Sequence, residues 1–511
     1  MRFKATDIFD YYKPSECARR VALRARGETE QQTYTPFNDL LRSLGHRHEE
    51  SHLATLPGIV DLSTPDQAER ERLTLAAIRD AVPAIYQPRL RLELSLDGET
   101  WELVGEPDFL IRDGSRGGYL IRDSKLARNI SARRHRGIPL QLQIYGFLYE
   151  RLVGQRPIEL QVHSGSGEIV PVAYDGEEAV LDALRQHRRM RTIGPDDYEP
   201  LGWTKCGGCG FEDRCRGEAL AAQDVSLLTT VPQKRARELY QRGIRSIASL
   251  PVAVHDPAHH DYFWTGKKTP RLKDFVSELL MSAESLVSNT AVRRDEPPAF
   301  PPGRNFAMFD LEGLPPYADD LDRIYLWGVK VFGDRPSTYL PAQAGFGADG
   351  DRDGWFAFLS LANRLFAEYG PDLRFVHWSG YEKTKLELYV GRYGDPDGVA
   401  ARVLANLDDL LAILRASVVL PLPSYSLKVV ERYVGFARAK SGDGAWSIAK
   451  YIEATESNDP AAREANVNEI LAYNEEDLDA TWAVMEWLRR TDHWHSASAT
   501  PGNSLLSPEN R

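Results

Sequence analysis

The sequence of 511 residues predicts a multidomain α/β protein. Its length suggests about three domains, and a hydrophobic fraction of 42% is enough for several packed cores. Over residues 304–492 apolar strands alternate with amphipathic helices, an order typical of α/β domains with a mixed sheet and flanking helices. A segment rich in Pro and charge at residues 293–303 separates this part from the preceding chain, as an interdomain linker does.

These observations divide the chain into five segments. We predict an α/β domain over residues 1–222, a helical connector over 223–292, the linker over 293–303, a second α/β domain over 304–492 and a disordered tail over 493–511. The connector is similar in pattern to a helix-hairpin-helix module, which binds the DNA backbone without reading bases, and a plain helical spacer fits it equally well.

The overall charge does not favour a nucleic-acid partner, since the net charge is −11. One stretch locally reverses this balance, because Arg122 to Arg136 contains six basic residues and one acid. Such a run is either a solvated loop or a phosphate-binding surface, and the catalytic pattern beside it favours the second. The sequence shows neither a membrane-spanning stretch nor the apolar core of a signal peptide, so we expect a cytoplasmic protein without membrane contact.

A hairpin in the first domain brings acidic residues together. Two strand-like runs, Val104–Arg112 and Gly118–Lys125, flank a turn rich in Gly. If the hairpin is symmetric, Asp108 lies directly opposite Asp123, and Lys125 shares the face of Asp123. Cleavage of a phosphodiester needs carboxylates to hold a divalent metal and a nearby ammonium to stabilise negative charge.

This pattern resembles the PD-(D/E)xK nucleases, and in particular their RecB-like group. In that group an upstream Gly-x-x-His-Glu helix supplies another metal ligand, and Gly45–Glu49 matches it here. The family's downstream Gln-x3-Tyr helix is matched by Gln141 and Tyr145. The resemblance implies Mg²⁺ or Mn²⁺ bound by His48, Asp108 and Asp123. The implied catalytic residues are His48, Asp108, Asp123, Lys125, Gln141 and Tyr145.

The four cysteines can form one site. Cys17 is near the start of the chain, and Cys206, Cys209 and Cys215 lie close together near the end of the first domain. Four thiolates that include a Cys-x2-Cys unit suit tetrahedral zinc or a [4Fe–4S] cluster. RecB-like nucleases with this cysteine layout hold a [4Fe–4S] cluster, so the resemblance implies such a cluster, with zinc as the alternative. Either would stabilise the domain by about 5 kcal/mol through loop closure.

The second α/β domain has its own acidic pattern. Its first strand ends with Asp310 and Glu312 on one face, and a distant helix carries Tyr473 and Asp477 one turn apart. This resembles the DEDD exonucleases of the tyrosine type, which have an RNase H-like fold. The resemblance implies Mg²⁺ or Mn²⁺ held by Asp310, Glu312 and Asp477, and a water oriented by Tyr473.

The second acidic motif of that family, Asn-x3-Phe-Asp, is altered in this chain. His377 replaces the Asn, and Glu382 replaces the Asp. Since a longer carboxylate can still reach a metal, we count Glu382 as a catalytic residue, although the change also fits a degenerate site. Phe436 and Trp446, further along the chain, suit either core packing or stacking on bases.

The whole arrangement resembles a bacterial group of RecB-like nucleases fused to an RNase H-like exonuclease domain. It implies a metal-dependent nuclease with two hydrolytic sites that acts on single-stranded or frayed DNA ends in repair, recombination or defence. RNA processing is one alternative, and a nucleic-acid-binding scaffold with one degenerate site is another. Because the sequence has no Walker-type loop, any helicase partner would be a separate protein.

Overall fold

The computed structural model describes residues 1–31, 36–128, 130, 135–194, 203, 206–265, 272–294, 299–315, 322–439 and 442–490. The chain divides into two compact units, residues 1–199 with 205–212 and residues 200–204 with 213–511. Each unit contains a mixed sheet with helices, so the predicted α/β class is confirmed. The predicted tail, 493–511, lies outside the described residues.

The first unit is built on a six-stranded mixed sheet and a three-stranded sheet. In spatial order the strands of the larger sheet are Ile59–Asp61, Ala84–Tyr86, Phe109–Asp113, Gly118–Lys125, Leu160–Ser164 and Ile169–Val172. The smaller sheet contains Arg2–Lys4, Glu99–Gly105 and Leu90–Leu96. The α-helices of this unit are Phe9–Tyr12, Ala18–Ala25, Pro36–Leu53, Gln67–Arg79, Gly137–Val153 and Glu177–Arg191.

The central hairpin of the larger sheet has the register that the sequence predicts. Phe109 pairs with Arg122, and Asp113 pairs with Gly118. The next pair in this register is Asp108 and Asp123, at the open end of the hairpin. The two acids therefore meet because a symmetric turn fixes the register of both strands.

Helix Gly137–Val153 approaches the smaller sheet closely at a glycine. A Cβ at Gly105 would lie 2.6 Å from Leu148 and 2.8 Å from Tyr145, so a larger residue there would displace these two side chains. Gly105 thus permits Tyr145 to reach the backbone just beyond it, where the hydroxyl of Tyr145 donates to the carbonyl of Glu106 at 3.2 Å. This contact sets the helix against the start of the hairpin.

The connector is helical, and its apolar core includes Leu239, Leu250, Phe263 and Leu279. Its helices, after Glu212–Ala221, are Gln233–Gln241, Leu250–His255 and Leu272–Ser288, with a π-helical turn at Asp261–Thr265.

The second unit also contains a five-stranded mixed sheet. In spatial order its strands are Leu340–Gln343, Ile324–Gly333, Asn305–Gly313, Arg374–His377 and Leu407–Asp409, with antiparallel pairing up to the central strand and parallel pairing beyond it. The helices that follow in the chain are Gly347–Tyr369, Tyr381–Tyr393, Val399–Ala405, Leu410–Ser417, Leu427–Tyr433, Gly444–Glu456 and Pro460–Arg489. This is the predicted mixed sheet with flanking helices.

The long helix Pro460–Arg489 packs on the central strands of that sheet. A Cβ at Gly328 would lie only 1.7 Å from the Oδ1 atom of Asn474, so a larger residue there would displace the Asn474 amide. Lys330 on the same strand bonds to Glu475 at 2.8 Å and to Asp479 at 2.7 Å. These contacts fix the helix over the end of the strand that carries the predicted acids.

The first residue of the predicted linker, Arg293, belongs to a short strand. Val292–Arg293 pairs with Val418–Val419, and the amide of Arg294 donates to the carbonyl of Ser417 at 3.0 Å. Residues 295–298 of the linker lie outside the described residues. Among the described helices, none is long and apolar enough to cross a membrane.

Candidate metal centres

Three carboxylates converge in the second unit. Asp310 and Glu312 come from the end of the central strand, and Asp477 comes from the long helix. One oxygen of each lies within 4.8 Å of the others, and no further group of this kind is found among the residues that the structure describes. Carboxylate oxygens at this spacing are suitable ligands for Mg²⁺ or Mn²⁺.

The electrostatics of these carboxylates favour a bound cation. Burial raises the pKa of Asp310 well above its ordinary value, and the charges of Asp477 and Glu312 raise it further. Burial and Asp477 raise the pKa of Glu312 to about 8. Burial also raises the pKa of Asp477, although Arg438 opposes the shift. A divalent cation between the three carboxylates would relieve both the burial cost and the repulsion.

Two side chains that the sequence interpretation missed hold the carboxylates in place. Asn474 donates to Asp310 at 2.7 Å, and the hydroxyl of Tyr339 donates to the amide oxygen of Asn474 at 2.8 Å. Arg438 donates to Asp477 and makes a two-point contact with Glu431 at 2.6 and 2.7 Å. Asn474 lies three residues before Asp477 on the same helix, and this spacing could have placed it near the acids. No local sequence pattern indicates that Arg438 contacts Asp477.

The predicted tyrosine lies beside the same carboxylates. Burial raises the pKa of Tyr473, and Asp477, Glu312 and Asp310 raise it further. Its hydroxyl therefore keeps its proton at neutral pH and is a hydrogen-bond donor. The ammonium of Lys428 lies 4.5 Å from the centre of the Tyr473 ring.

The predicted stacking residue Trp446 contacts this tyrosine. The centres of the Trp446 and Tyr473 rings are 5.7 Å apart, and Trp446 is half-buried. Phe436 is also half-buried.

Glu382 has a different partner from the three converging carboxylates. It is buried, and its Oε2 lies 2.9 Å from Nδ1 of His377. The two residues that depart from the DEDD motif thus bond to each other. Glu382 still influences the acidic group, because its charge is one of those that raise the pKa of Asp310, after burial, Asp477 and Glu312.

In the first unit the predicted pair of aspartates is present. The amide of Ser124 donates to Asp108 at 2.6 Å, and the amide of Asp108 donates to Asp123 at 3.3 Å. Lys125 forms an ion pair with Asp123. The side chain of Ser124 lies on the opposite face, where it bonds to His163 at 3.2 Å. Asp123 and Lys125 thus share one face, as the strand alternation predicts.

The charges of this pair are coupled. Burial raises the pKa of Asp108 well above its ordinary value, and the charge of Asp123 adds to the shift. Burial by itself would lower the pKa of Lys125, but Asp123 and Asp108 outweigh it, and the pKa is raised. Lys125 therefore remains an ammonium ion at neutral pH.

Gln141 and Tyr145 lie together in the buried part of helix Gly137–Val153. The amide of Gln141 donates to the hydroxyl of Tyr145 at 2.7 Å. Burial raises the pKa of Tyr145, and Asp123 and Asp108 raise it further, so the tyrosine lies close to both acids.

The structure brings Glu49, rather than His48, to the aspartate pair. Gln87 donates to Glu49 at 2.7 Å and lies 3.5 Å from Asp108, so it bridges the two acids. After burial and Asp123, the charge of Glu49 also contributes to the raised pKa of Asp108. Glu49 was visible in the predicted Gly-x-x-His-Glu motif, but the sequence does not show which of the two neighbours faces the pair.

His48 instead belongs to a stack of imidazoles. Its ring lies 4.1 Å from the ring of His163 at an angle of 7°, and the ring of His52 also stacks on His163. Burial lowers the pKa of His52 to about 4 and that of His163 to about 3. The predicted group of His48, Asp108 and Asp123 is not among the metal-holding groups found in the described residues.

All four cysteines lie in the described residues. In the first unit, the Sγ of Cys17 accepts a hydrogen bond from the amide of Arg20 at 3.3 Å. Burial raises the pKa of both Cys17 and Cys209, and the charge of Cys209 adds to the shift at Cys17, so these two thiols are neighbours. Cys206 is buried in the same unit, and Cys215 lies on helix Glu212–Ala221. Thiolates are the appropriate donors for zinc or an iron–sulfur cluster.

The basic stretch is only partly described. Arg122 donates to Gln161 at 2.6 and 2.9 Å, and Arg136 lies 3.3 Å from Glu16. Arg133 and Arg134 lie outside the described residues.

Comparisons with known protein families find a nuclease-related superfamily in each half of the chain. Residues 15–216 match the PD-(D/E)XK nuclease superfamily, and residues 307–489 match the RNase H superfamily. The chain therefore carries one domain of each superfamily and is a metal-dependent nuclease, as the sequence predicts. Among solved structures, "Crystal structure of SSO0001" is 15% identical and covers 34% of this chain and 94% of that chain, with a TM-score of 0.20. No curated protein matches the chain.

The raised pKa of Glu312 predicts a pH-dependent stability in protein stripped of divalent metal with EDTA. The pKa rises from its ordinary value of 4.5 to about 8 on folding, so unfolding releases this proton between those values and stability falls as pH rises. Glu312→Gln should be more stable than the wild type in urea unfolding, by a margin that grows from pH 6 to pH 8 and then levels off. Exposed Glu387→Gln is the control, and a constant margin for Glu312→Gln would contradict the shift.

Proposed function

We propose that the chain is a DNA exonuclease with two hydrolytic sites, which degrades single-stranded or frayed ends in repair, recombination or defence. One observation carries the proposal: in each superfamily domain, acidic side chains from separate elements meet at the end of a sheet. In the second domain these are Asp310, Glu312 and Asp477. In the first domain they are Asp108 and Asp123, joined through backbone hydrogen bonds.

In the second domain, Asp310, Glu312 and Asp477 would hold Mg²⁺ or Mn²⁺. Such a metal neutralises charge on a phosphate and lowers the pKa of a bound water. Tyr473 keeps its proton and donates a hydrogen bond that orients the water or the phosphate. Lys428, above the Tyr473 ring, supplies positive charge beside the phosphate.

Two further residues support this second site. Glu382, bonded to His377, serves as the fourth acid. Arg438 restrains Asp477 through its simultaneous contact with Glu431.

In the first domain, Asp108 and Asp123 would hold the metal, with Glu49 as a further acid. The family resemblance implies His48 as another ligand, which requires its ring to leave the stack on His163. Lys125 carries a positive charge beside Asp123 and would stabilise negative charge that develops on the phosphate. Gln141 and Tyr145 fix the position of the hairpin through their mutual hydrogen bond and the contact of Tyr145 with the Glu106 carbonyl.

The test uses single-site variants on end-labelled DNA and RNA, single- and double-stranded, with Mg²⁺ or Mn²⁺. Asp310→Asn should lower cleavage by the second site, and Asp123→Asn that by the first, each on the order of a hundredfold or more. Each variant should leave the products of the other site unchanged, and the double variant should be inactive.

Exposed Asp182→Asn and Glu387→Gln are the matched controls for the first and second domains. Wild-type activity in Asp310→Asn would overturn the second site, and wild-type activity in Asp123→Asn would overturn the first. Cleavage of RNA alone would overturn the choice of DNA.

We also propose that Cys17, Cys206, Cys209 and Cys215 hold a [4Fe–4S] cluster with a structural role. Support comes from the burial of Cys17 and Cys206 and from the proximity of Cys17 to Cys209. Protein purified without oxygen should be brown and contain about four iron atoms per chain. Cys209→Ser should lose the colour and the iron and fold in lower yield. Colourless protein with one zinc would contradict the cluster and favour the zinc alternative.

A further inference from the structure

A pocket lies beside the carboxylates of the second domain. Its volume is about 390 Å³, within the range of small-molecule sites. It is formed by strands Ile324–Gly333 and Leu340–Gln343 and by helices Gly444–Glu456 and Pro460–Arg489. The side chains that line this pocket include Tyr325, Gln343, Phe346, Tyr451, Arg463 and Asn468.

Aromatic side chains line the pocket, and Phe346 is the exposed one among them. The rings of Tyr325 and Tyr451 are buried and stack on each other at 4.0 Å with an angle of 11°, so they form part of the wall. The ring of Phe346 lies 5.8 Å from that of Tyr451, and 43% of Phe346 is exposed. The guanidinium of Arg463 lies 5.3 Å from the centre of the Phe346 ring. An exposed aromatic ring next to an arginine can stack on a base of a single strand, and Phe346 with Arg463 is such a pair.

Polar side chains also line this pocket. Gln343 and Asn468 are exposed and carry amides, each of which can both donate and accept hydrogen bonds. Such groups can bond to the edge of a base, and their pattern does not require one particular base.

One side chain connects the pocket to the carboxylates. Tyr325 lines the pocket with its ring, while its hydroxyl lies 3.4 Å from Glu312 and 2.8 Å from Ser447. Tyr325 thus separates the pocket from Glu312, with its ring on the pocket side and its hydroxyl on the carboxylate side.

We propose that this pocket, here named the base pocket, binds one nucleobase of the substrate strand through stacking. The inference rests on the proposed nuclease function of the second domain and adds the part of the substrate that this domain grips. Its occupant is a base of the strand undergoing cleavage rather than a free nucleotide. Binding there would place the neighbouring phosphate at Asp310, Glu312 and Asp477.

The experiment compares Phe346→Ala with Phe356→Ala in full-length protein whose first site is disabled by Asp123→Asn. Phe356 is a similarly exposed phenylalanine that does not line the pocket. The substrates are single-stranded DNA oligonucleotides with one abasic position, moved stepwise from the end that is cut. Phe346→Ala should raise KM about tenfold through lost stacking, with little change in kcat. Phe356→Ala should leave both constants unchanged.

The abasic series identifies the base that binds. At one position, removal of the base should raise the KM of the Asp123→Asn protein as much as the Phe346→Ala substitution does. In protein that carries both substitutions, removal of the same base should cause no further rise in KM. A direct readout is the fluorescence of 2-aminopurine at that position. This fluorescence should be quenched when the oligonucleotide binds the cleavage-deficient double variant Asp123→Asn with Asp310→Asn. The quenching should be much weaker when the double variant also carries Phe346→Ala.

The outcomes separate this inference from the proposed function. Cleavage by the second site that is insensitive both to Phe346→Ala and to every abasic position would overturn the base pocket while leaving the nuclease intact. If the second site cleaves no substrate but the quenching still depends on Phe346, the proposed nuclease function is wrong and the base pocket is supported. If only a free deoxynucleoside monophosphate competes at Phe346 and the strand does not, the occupant is a released product and the inference is wrong.

Discussion

Both candidate centres depend on one constraint, the repulsion between carboxylates that lie close together in a buried site. Hydrated carboxylates repel one another and stay apart. The fold nevertheless holds one oxygen each of Asp310, Glu312 and Asp477 within 4.8 Å of the others. The fold also holds Asp108 against Asp123 across a hairpin. Such arrangements cost free energy in the absence of a counter-charge, and a divalent cation supplies that charge. The cost is a direct consequence of a site built to bind metal.

Close backbone packing keeps these groups together. Gly328 lets helix Pro460–Arg489 come against the central strands, which brings Asp477 to the acids of the strand. In the first domain, Gly105 plays the equivalent part for helix Gly137–Val153 and Tyr145. In both cases a side chain at the glycine would displace helix side chains that lie next to the acids. The positions of the acidic groups therefore also depend on packing outside the acidic residues themselves.

Local sequence patterns predicted the parts of each site that lie on one strand or within one hairpin. The register of Asp108 and Asp123 follows from a symmetric turn, and the two acids of the central strand follow from strand alternation. The sequence did not distinguish Glu49 from His48, because adjacent helix residues point about 100° apart and tertiary packing sets the rotation. Arg438 reaches Asp477 from a distant loop, a contact that no local pattern encodes. The bond between His377 and Glu382 likewise appears only in the fold.

Both acidic groups are inferred to bind divalent metal. This can be examined by anomalous diffraction at the manganese absorption edge, from crystals grown with Mn²⁺. We expect anomalous density between the oxygens of Asp310, Glu312 and Asp477, and a second peak at Asp108 and Asp123. Crystals with saturating Mn²⁺ that show no density at either group of carboxylates would contradict this inference.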